Sequence, residues 1–397
     1  MIFSDITQAA ADPILGLTEA FKADPRPNKV NLGVGIYKDD SGQTPVLNSV
    51  KKAEAKLLEI EKTKSYLGIE GVNAYNDAVQ TLLFGEGSDI IMQKRAKTAQ
   101  APGGTGSLRM AAEFLVNSTN SNTIWVSNPT WANHQNIFTA AGLSIETYDY
   151  YVPQTHNIDF DAMKSSLSAA KAGDIVLMHG CCHNPTGIDL STEQWQEFAE
   201  LCVVKQLVPL FDFAYQGFGE GTEEDAQGLR IVASKVSELI IANSFSKNFG
   251  LYNERIGAVT IVAENQHVAD TSFSQVKKTI RSSYSNPPAH GGLIVSTILS
   301  DKQLREEWQQ ELTQMRERIS EMRHRFVAML KQEGVSQDFS FIAEQKGMFS
   351  FSGLTKAQVE QLKTEHGVYI VGSGRISVAG LTSDNLPVVC KAIAQVL

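Results

Sequence analysis

The sequence predicts an α/β protein: a large domain with a mostly parallel sheet flanked by helices, plus a smaller α+β domain. Three observations predict it. Short apolar runs alternate with amphipathic helical stretches through the middle of the chain. One very long helical pattern follows them, and shorter strand-like runs follow that. At 397 residues the chain exceeds what one small core organises, so two lobes are expected.

The segment before residue 45 is irregular and rich in Pro and Gly, and is expected to pack with the C-terminal unit or on a partner subunit. Residues 107–116 carry a helical pattern. Thr123-Ile-Trp-Val-Ser127, Asp174-Ile-Val-Leu-Met178, Val208-Pro-Leu-Phe211, Glu238-Leu-Ile-Ile-Ala242 and Ala258-Val-Thr-Ile-Val262 read as strands, with a second helical pattern at 192–205. Apolar strands alternating with helices are the mark of a parallel sheet covered on both faces. Ligands of such sheets bind beyond the carboxyl ends of the strands. From 301 to 334, Leu304, Trp308, Leu312, Met315, Ile319, Met322 and Phe326 recur at steps of three and four, and Gly334 is a plausible terminator. A helix this long is expected to cross from one domain to the other. Residues 339–351 and 367–378 then read as strands of the smaller unit. The boundaries are 46–314 for the large domain, and 12–45 with 315–397 for the small one.

The formal net charge is -9. A diffuse acidic balance argues against nucleic-acid or anionic-membrane partners, which need a basic face. It leaves an anionic small substrate open, because a local pair of arginines can attract one. The four cysteines, Cys181, Cys182, Cys202 and Cys390, have no regular spacing, and reduced thiols are expected. Cys181-Cys182-His183 lacks the second cysteine pair of a zinc motif, so no metal is predicted. Residues 1–21 carry Asp5, Asp12 and Glu19 with no basic start, unlike a secretory signal or a mitochondrial presequence. No apolar run reaches the ~18 residues that span a bilayer. A cytoplasmic protein is expected.

Ala242-Asn-Ser-Phe-Ser-Lys247 leaves an apolar strand and enters a loop of small residues. A lysine there fits a solvated surface position, or a desolvated amine nucleophilic toward an aldehyde. Four other segments bear on the choice. Ala101-Pro-Gly-Gly-Thr-Gly106 runs directly into a helical pattern, and glycines there let backbone N–H groups approach a phosphate. A simple turn reads the same way. Asp212 follows an apolar strand, where a carboxylate can keep a pyridine nitrogen protonated or merely cap a helix; Tyr215 lies three residues on. His183-Asn-Pro-Thr-Gly187 offers the Asn184 amide to an oxyanion, or is an Asn-Pro turn. Arg255, eight residues after Lys247, suits bidentate phosphate recognition or a surface ion pair.

Together and in this order, these segments resemble the class I, or aspartate aminotransferase, family. The resemblance extends to Asn31-Leu-Gly-Val-Gly-Ile-Tyr-Lys38, Asn128-Pro-Thr-Trp-Ala-Asn-His134, Ser285-Asn-Pro-Pro288, Gly347-Met-Phe-Ser-Phe351 and the run from Ser373 through Arg375 to Gly380. It covers essentially the whole chain, and Ser-Phe-Ser-Lys-Asn-Phe-Gly-Leu-Tyr-Asn-Glu-Arg is its most specific stretch. The subgroup is that of bacterial aspartate aminotransferases, shared with aromatic aminotransferases. The resemblance implies the fold-type I architecture of pyridoxal-phosphate enzymes, pyridoxal 5'-phosphate as cofactor, and ping-pong transfer between L-aspartate and 2-oxoglutarate. Lys247 would attach the cofactor covalently and then shuttle the substrate proton. Asp212 would bind the ring nitrogen, with His134 behind it and His179 in support. Asn184 and Tyr215 would bind the ring's phenolic oxygen, and Trp131 would stack on the ring. Gly104, Thr105, Ser244 and Arg255 would hold the phosphate, with Tyr66 from a neighbouring subunit. Arg375 would grip the substrate α-carboxylate, Arg281 of the neighbour a side-chain carboxylate, and Gly35 would line the pocket. A homodimer with shared active sites is implied, and a packing role for an N-terminal arm, 1–11. Tyr284 stands where many relatives have tryptophan.

An aromatic-amino-acid aminotransferase, or dual specificity, is the close alternative, since an arginine that swings away admits phenylalanine or tyrosine. A decarboxylase or β-lyase on the same scaffold does not need both Arg281 and Arg375. A regulator would carry a fused DNA-binding segment, and no basic helix-turn-helix precedes residue 30. A nicotinamide dehydrogenase would need spaced glycines and a ribose-binding acid that this loop lacks.

Overall fold

The structure, a computed structural model, describes residues 2–9 and 14–397. The proposed arm 1–11 therefore lies partly outside the described residues. The chain separates into two compact units, one formed by residues up to Gln43 with Ile319–Leu397, the other by Thr44–Arg318.

The larger unit is built on seven strands: β1 (Ala96–Pro102), β2 (Thr123–Asn128), β3 (Ser144–Asp149), β4 (Ile175–His179), β5 (Val208–Phe213), β6 (Leu239–Ser244) and β7 (Ile256–Val262). Their order across the sheet is β1-β7-β6-β5-β4-β2-β3. Only β7 runs against its neighbours, pairing antiparallel with both β1 and β6. The others are parallel, so the carboxyl ends of β4, β5 and β6 lie side by side, with His179 opposite Asp212 and Phe213 opposite Asn243. The reversal of β7 brings its first residues to that same edge, where Ile256 pairs with Pro102 and Gly257 with Ser244.

Helix Gly103–Ser118 shows why the sheet holds. Leu108, Ala111, Ala112 and Leu115 recur on one face, and all are buried against Ile124 and Leu177 in the same cluster. Full burial of each leucine is worth about 1.5–3 kcal/mol. The helix is therefore fastened directly behind the glycine turn that starts it.

Each strand expected from an apolar run is present, with ends shifted by a residue or two. Two strands of this sheet carried no such signal. β1 is buried but consists of Ala, Lys, Thr, Gln and Pro; its polar groups are satisfied inside, Thr98 Oγ1 lying 2.8 Å from Thr260 Oγ1 and Gln100 donating to Pro288 O at 2.6 Å. β3 is an edge strand with mostly exposed side chains.

In the smaller unit, Val30–Asn31 pairs parallel with Val368–Tyr369, and Phe349–Phe351 antiparallel with Arg375–Ser377. The N-terminal segment, expected to be irregular, forms a helix at Leu15–Ala23 and adds a strand to the C-terminal unit. The strand expected over 339–351 is corrected to its last three residues. Phe341–Glu344 is a helical turn, because Asp338 accepts from Ser340 N and Oγ at 2.8 and 2.9 Å, and because Phe339 and Ile342 bury at helical spacing. The long helix spans Lys302–Gln332, with the seven periodic apolar residues from Leu304 to Phe326 buried and Gly334 beyond its end at φ +82°. All four cysteines are free and buried. Among the described residues no helix is long and apolar enough to cross a membrane.

Candidate active site

Lys247 sits at the apex of a turn whose two shoulders are anchored. Phe245 and Phe249 are both 1% exposed; Phe245 packs edge-on against Tyr75, and Phe249 stacks on Trp308 at 4.4 Å. Gly250 N closes the turn on Lys247 O at 3.1 Å, and Trp308 Nε1 donates to Asn248 O at 2.7 Å. With aromatic residues pinned on either side, Lys247 is left half-buried, its Nζ 4.8 Å from the centre of the Tyr215 ring.

Tyr215 is placed by the turn after β5. Asp225 locks that turn by accepting from the backbone N–H groups of Gly217, Gly219 and Glu220 at 2.7–2.9 Å. Asn184 Nδ2 donates to Tyr215 Oη at 3.4 Å, and the loop carrying Asn184 is held by Asp189, which accepts from Cys182 N and His183 N. One amine, one phenol and one amide thus converge beyond the strand ends.

Asp212, near the end of β5, is 6% exposed, and its Oδ2 lies 3.0 Å from His134 Nε2. Burial pushes its carboxyl up. The His134 hydrogen bond, helped by the nearby imidazoles and the Lys247 ammonium, outweighs burial, so the group stays below the usual carboxylate range. His134 is fixed in turn by Thr130 Oγ1, 2.8 Å from Nδ1. Trp131 meets the His134 ring edge-on at 5.3 Å. His179 stands beside them, its ring 5.4 Å from that of His134, and burial pushes its pKa down to about 3.

The segments expected to bind a phosphate also meet. A Cβ on Gly103 would lie 2.5 Å from Arg255 Nη2, and one on Gly104 would lie 3.0 Å from Ser244 Cβ. Gly103, at φ +74°, turns the chain from β1 into the helix that Thr105 joins, and Arg255 itself is held at φ +52°. Any side chain at 103 would fill this cradle. An amine, a buried ionised carboxylate, donors for an oxyanion and a glycine–arginine cradle suit a phosphorylated pyridine aldehyde.

Tyr66 and Arg281 stand apart from this cluster in the single chain. Tyr66 is 94% exposed, and Arg281 is exposed at the end of helix Gln266–Ser283, where its guanidinium donates to Ser285 Oγ. Within the smaller unit, Arg375 is buried; it donates to Gly33 O at 2.6 Å and lies 4.1 Å over the Phe349 ring. Gly35 faces that same ring, since a Cβ there would be 2.4 Å from Phe349 Cζ. Thr130, Asp189 and Asp225 escaped the sequence reading. The only signal for Thr130 was its i,i+4 spacing from His134.

The family model Aminotransferase class I and II matches residues 27–393. The chain belongs to that family. It is 60% identical to the aspartate aminotransferase of Salmonella typhi and 59% identical to that of Escherichia coli (strain K12), in both cases over all of both chains. Among solved structures, the aromatic-amino-acid aminotransferase of Burkholderia pseudomallei, covalently bound to pyridoxal phosphate, matches with a TM-score of 0.97 and 47% identity over all of both chains. The seven-stranded sheet is thus an aminotransferase sheet.

Proposed function

We propose that the chain is an aspartate aminotransferase, exchanging the amino group between L-aspartate and 2-oxoglutarate to give oxaloacetate and L-glutamate, with pyridoxal 5'-phosphate as cofactor. The observation that carries the reading is Lys247, its amine held against Tyr215 and within the field of a buried, ionised Asp212. When bound, the cofactor supplies an electron sink for the charge left at the substrate Cα.

The chain's own residues do the rest. Gly104, Thr105, Ser244 and Arg255 bind the phosphate, joined by Tyr66 of the partner subunit. Asp212, backed by His134 and His179, keeps the proton on the ring nitrogen. Asn184 and Tyr215 bind the ring oxygen, and Trp131 covers one ring face. Lys247 anchors the cofactor and carries the proton at the substrate Cα. Arg375 orients the α-carboxylate, Arg281 of the partner subunit binds the second carboxylate, and Gly35 lines the pocket. Two fixed carboxylates present Cα–H to the Lys247 amine, making proton transfer a positioned step within one complex. The first keto acid leaves before the second enters, which gives ping-pong kinetics.

The working form is a cytoplasmic homodimer with shared sites, which the solvent exposure of Tyr66 and Arg281 supports. Residues 46–314 act as its large domain, 12–45 with 315–397 as its small domain, and 1–11 as a packing arm. A second reading, dual action on aromatic amino acids, draws on the 47% identical aromatic enzyme; the 60% identity to an aspartate enzyme favours the first.

Two measurements test this. Purified protein should be yellow, with absorbance that moves with pH; a colourless protein gaining no absorbance from added pyridoxal phosphate overturns the cofactor assignment. With 2-oxoglutarate as acceptor, kcat/KM for aspartate should exceed that for phenylalanine, and a phenylalanine-to-aspartate ratio well above one overturns the substrate assignment.

A further inference from the structure

Arg323 belongs to no motif of the sequence reading, yet it is among the largest fully buried side chains of the molecule, 2% exposed on the long helix. Its Nη2 donates to Gly347 O and Phe349 O, both at 2.7 Å, and to Lys346 O at 3.3 Å. Its Nη1 donates to Ile342 O at 3.1 Å and to Ser350 Oγ. A buried guanidinium is costly unless its N–H groups are used, and here the planar fork gathers one short stretch, 342–350. A helix side chain therefore sets the path of a segment whose own regular structure is one helical turn and a three-residue strand.

Phe349 lies in the middle of what Arg323 holds. Its ring fills the space between two other elements: the Gly35 backbone leaves no room for a Cβ against it, and the Arg375 guanidinium lies across its face at 4.1 Å. A cation over an aromatic face is held in plane and direction. Gly33 O accepts from the same guanidinium, so ring and carbonyl both bear on its direction. Displacing Phe349 would remove the aromatic face against which the guanidinium lies and loosen its orientation.

We propose that Arg323 is a positioning residue for α-carboxylate recognition: by gathering the carbonyls of 342–349 it fixes the Phe349 ring, and that ring aims Arg375. This rests on the reading that Arg375 takes the α-carboxylate.

The test uses the cofactor-loaded enzyme with Arg323→Lys, Arg323→Met, Phe349→Leu and Arg375→Lys. Lysine keeps the charge but loses the fork. Arg323→Lys should raise KM for aspartate and for phenylalanine by the same factor, roughly 10-fold, because both share the α-carboxylate, while kcat falls far less. Calorimetric binding of succinate, which needs no turnover, should weaken in parallel. Phe349→Leu should reproduce the split, and the double variant Arg323→Lys/Phe349→Leu should be no worse than either single one. A fall in kcat or in thermal midpoint with KM and succinate binding unchanged means a merely structural arginine and overturns the proposal. If Arg323→Met fails to fold, Arg323→Lys and Phe349→Leu carry the test. Should Arg375→Lys itself leave KM unchanged, the α-carboxylate reading falls; should it raise KM while the Arg323 and Phe349 variants do not, this inference alone falls.

Discussion

Three imidazoles, His134, His179 and His183, lie edge to edge behind Asp212, and they differ in what their ring nitrogens meet. His134 is bound on both sides, by Thr130 and Asp212, and His183 by Thr186 and Ser127 at 2.8 Å each. Both nitrogens of His179 are buried without a hydrogen-bond partner. Its proton affinity is lowered by burial and by the neighbouring His134 ring, from 6.5 to about 3. The sign of the stability effect follows. Above pH 6.5 the ring is neutral in both folded and unfolded chains and contributes nothing. Below it the unfolded chain takes up a proton that the folded chain refuses, so stability falls until pH reaches about 3. Between pH 7.5 and 5.0 this amounts to about 2 kcal/mol. Denaturant unfolding should therefore show the parent losing about that much more than His179→Leu across the interval. Equal losses would remove His179 from the acid limb. Asp212 stood out in the sequence because it interrupts an apolar run, and Lys247 only through the company of the other motif segments. Thr130 was not, because a threonine four residues before a histidine looks the same whether or not it fixes a tautomer.

At the scale of elements, the site depends on the turn from β1 into its helix. Gly103 is at φ +74° and meets the Arg255 guanidinium, which has flexible methylenes behind it. Gly257 is different: a Cβ there would lie 2.6 Å from Asn243 O and from Gly103 C, both backbone atoms. Gly103→Ala should cost roughly 1–2 kcal/mol of stability, from the left-handed conformation, and should weaken pyridoxal phosphate binding at least tenfold in an absorbance titration, about 1.4 kcal/mol. Gly257→Ala should lower the thermal midpoint more than Gly103→Ala, since two strands must separate to admit the methyl group. The reverse order would mean that the cradle, not the strand pairing, is the tighter constraint. The sequence showed the glycine turn and the five apolar strands, whose burial is written in their composition. It did not show β1, because small and polar residues are buried there only by virtue of partners such as Thr260 and Pro288, far away along the chain. The short strand at Phe349 was blurred for a similar reason: Arg323, not local preference, holds it.

At the scale of the molecule, the exposed Tyr66 and Arg281 make a single chain insufficient under the proposed function. The protein should elute at about twice its 43.4 kDa. Co-expressing Lys247→Ala and Arg281→Ala chains should recover about a quarter of parental activity, because half of randomly mixed dimers would hold one intact site of two. Proven mixed dimers without recovery would show that each chain completes its own site. The sheet order carries a different message. β1 is an edge strand, and its hydrogen-bonded partner, β7, is the last strand of the sheet to be made. While the ribosome is still adding residues 103–255, the glycine turn has no strand to register against. Its pairing begins only when Ile256–Val262 emerges and slides in beside it. The glycine–arginine cradle thus closes only when the last strand of the sheet is made, and a nascent chain stalled before residue 256 would hold Lys247 and Asp212 but no sheet partner for the turn at Gly103.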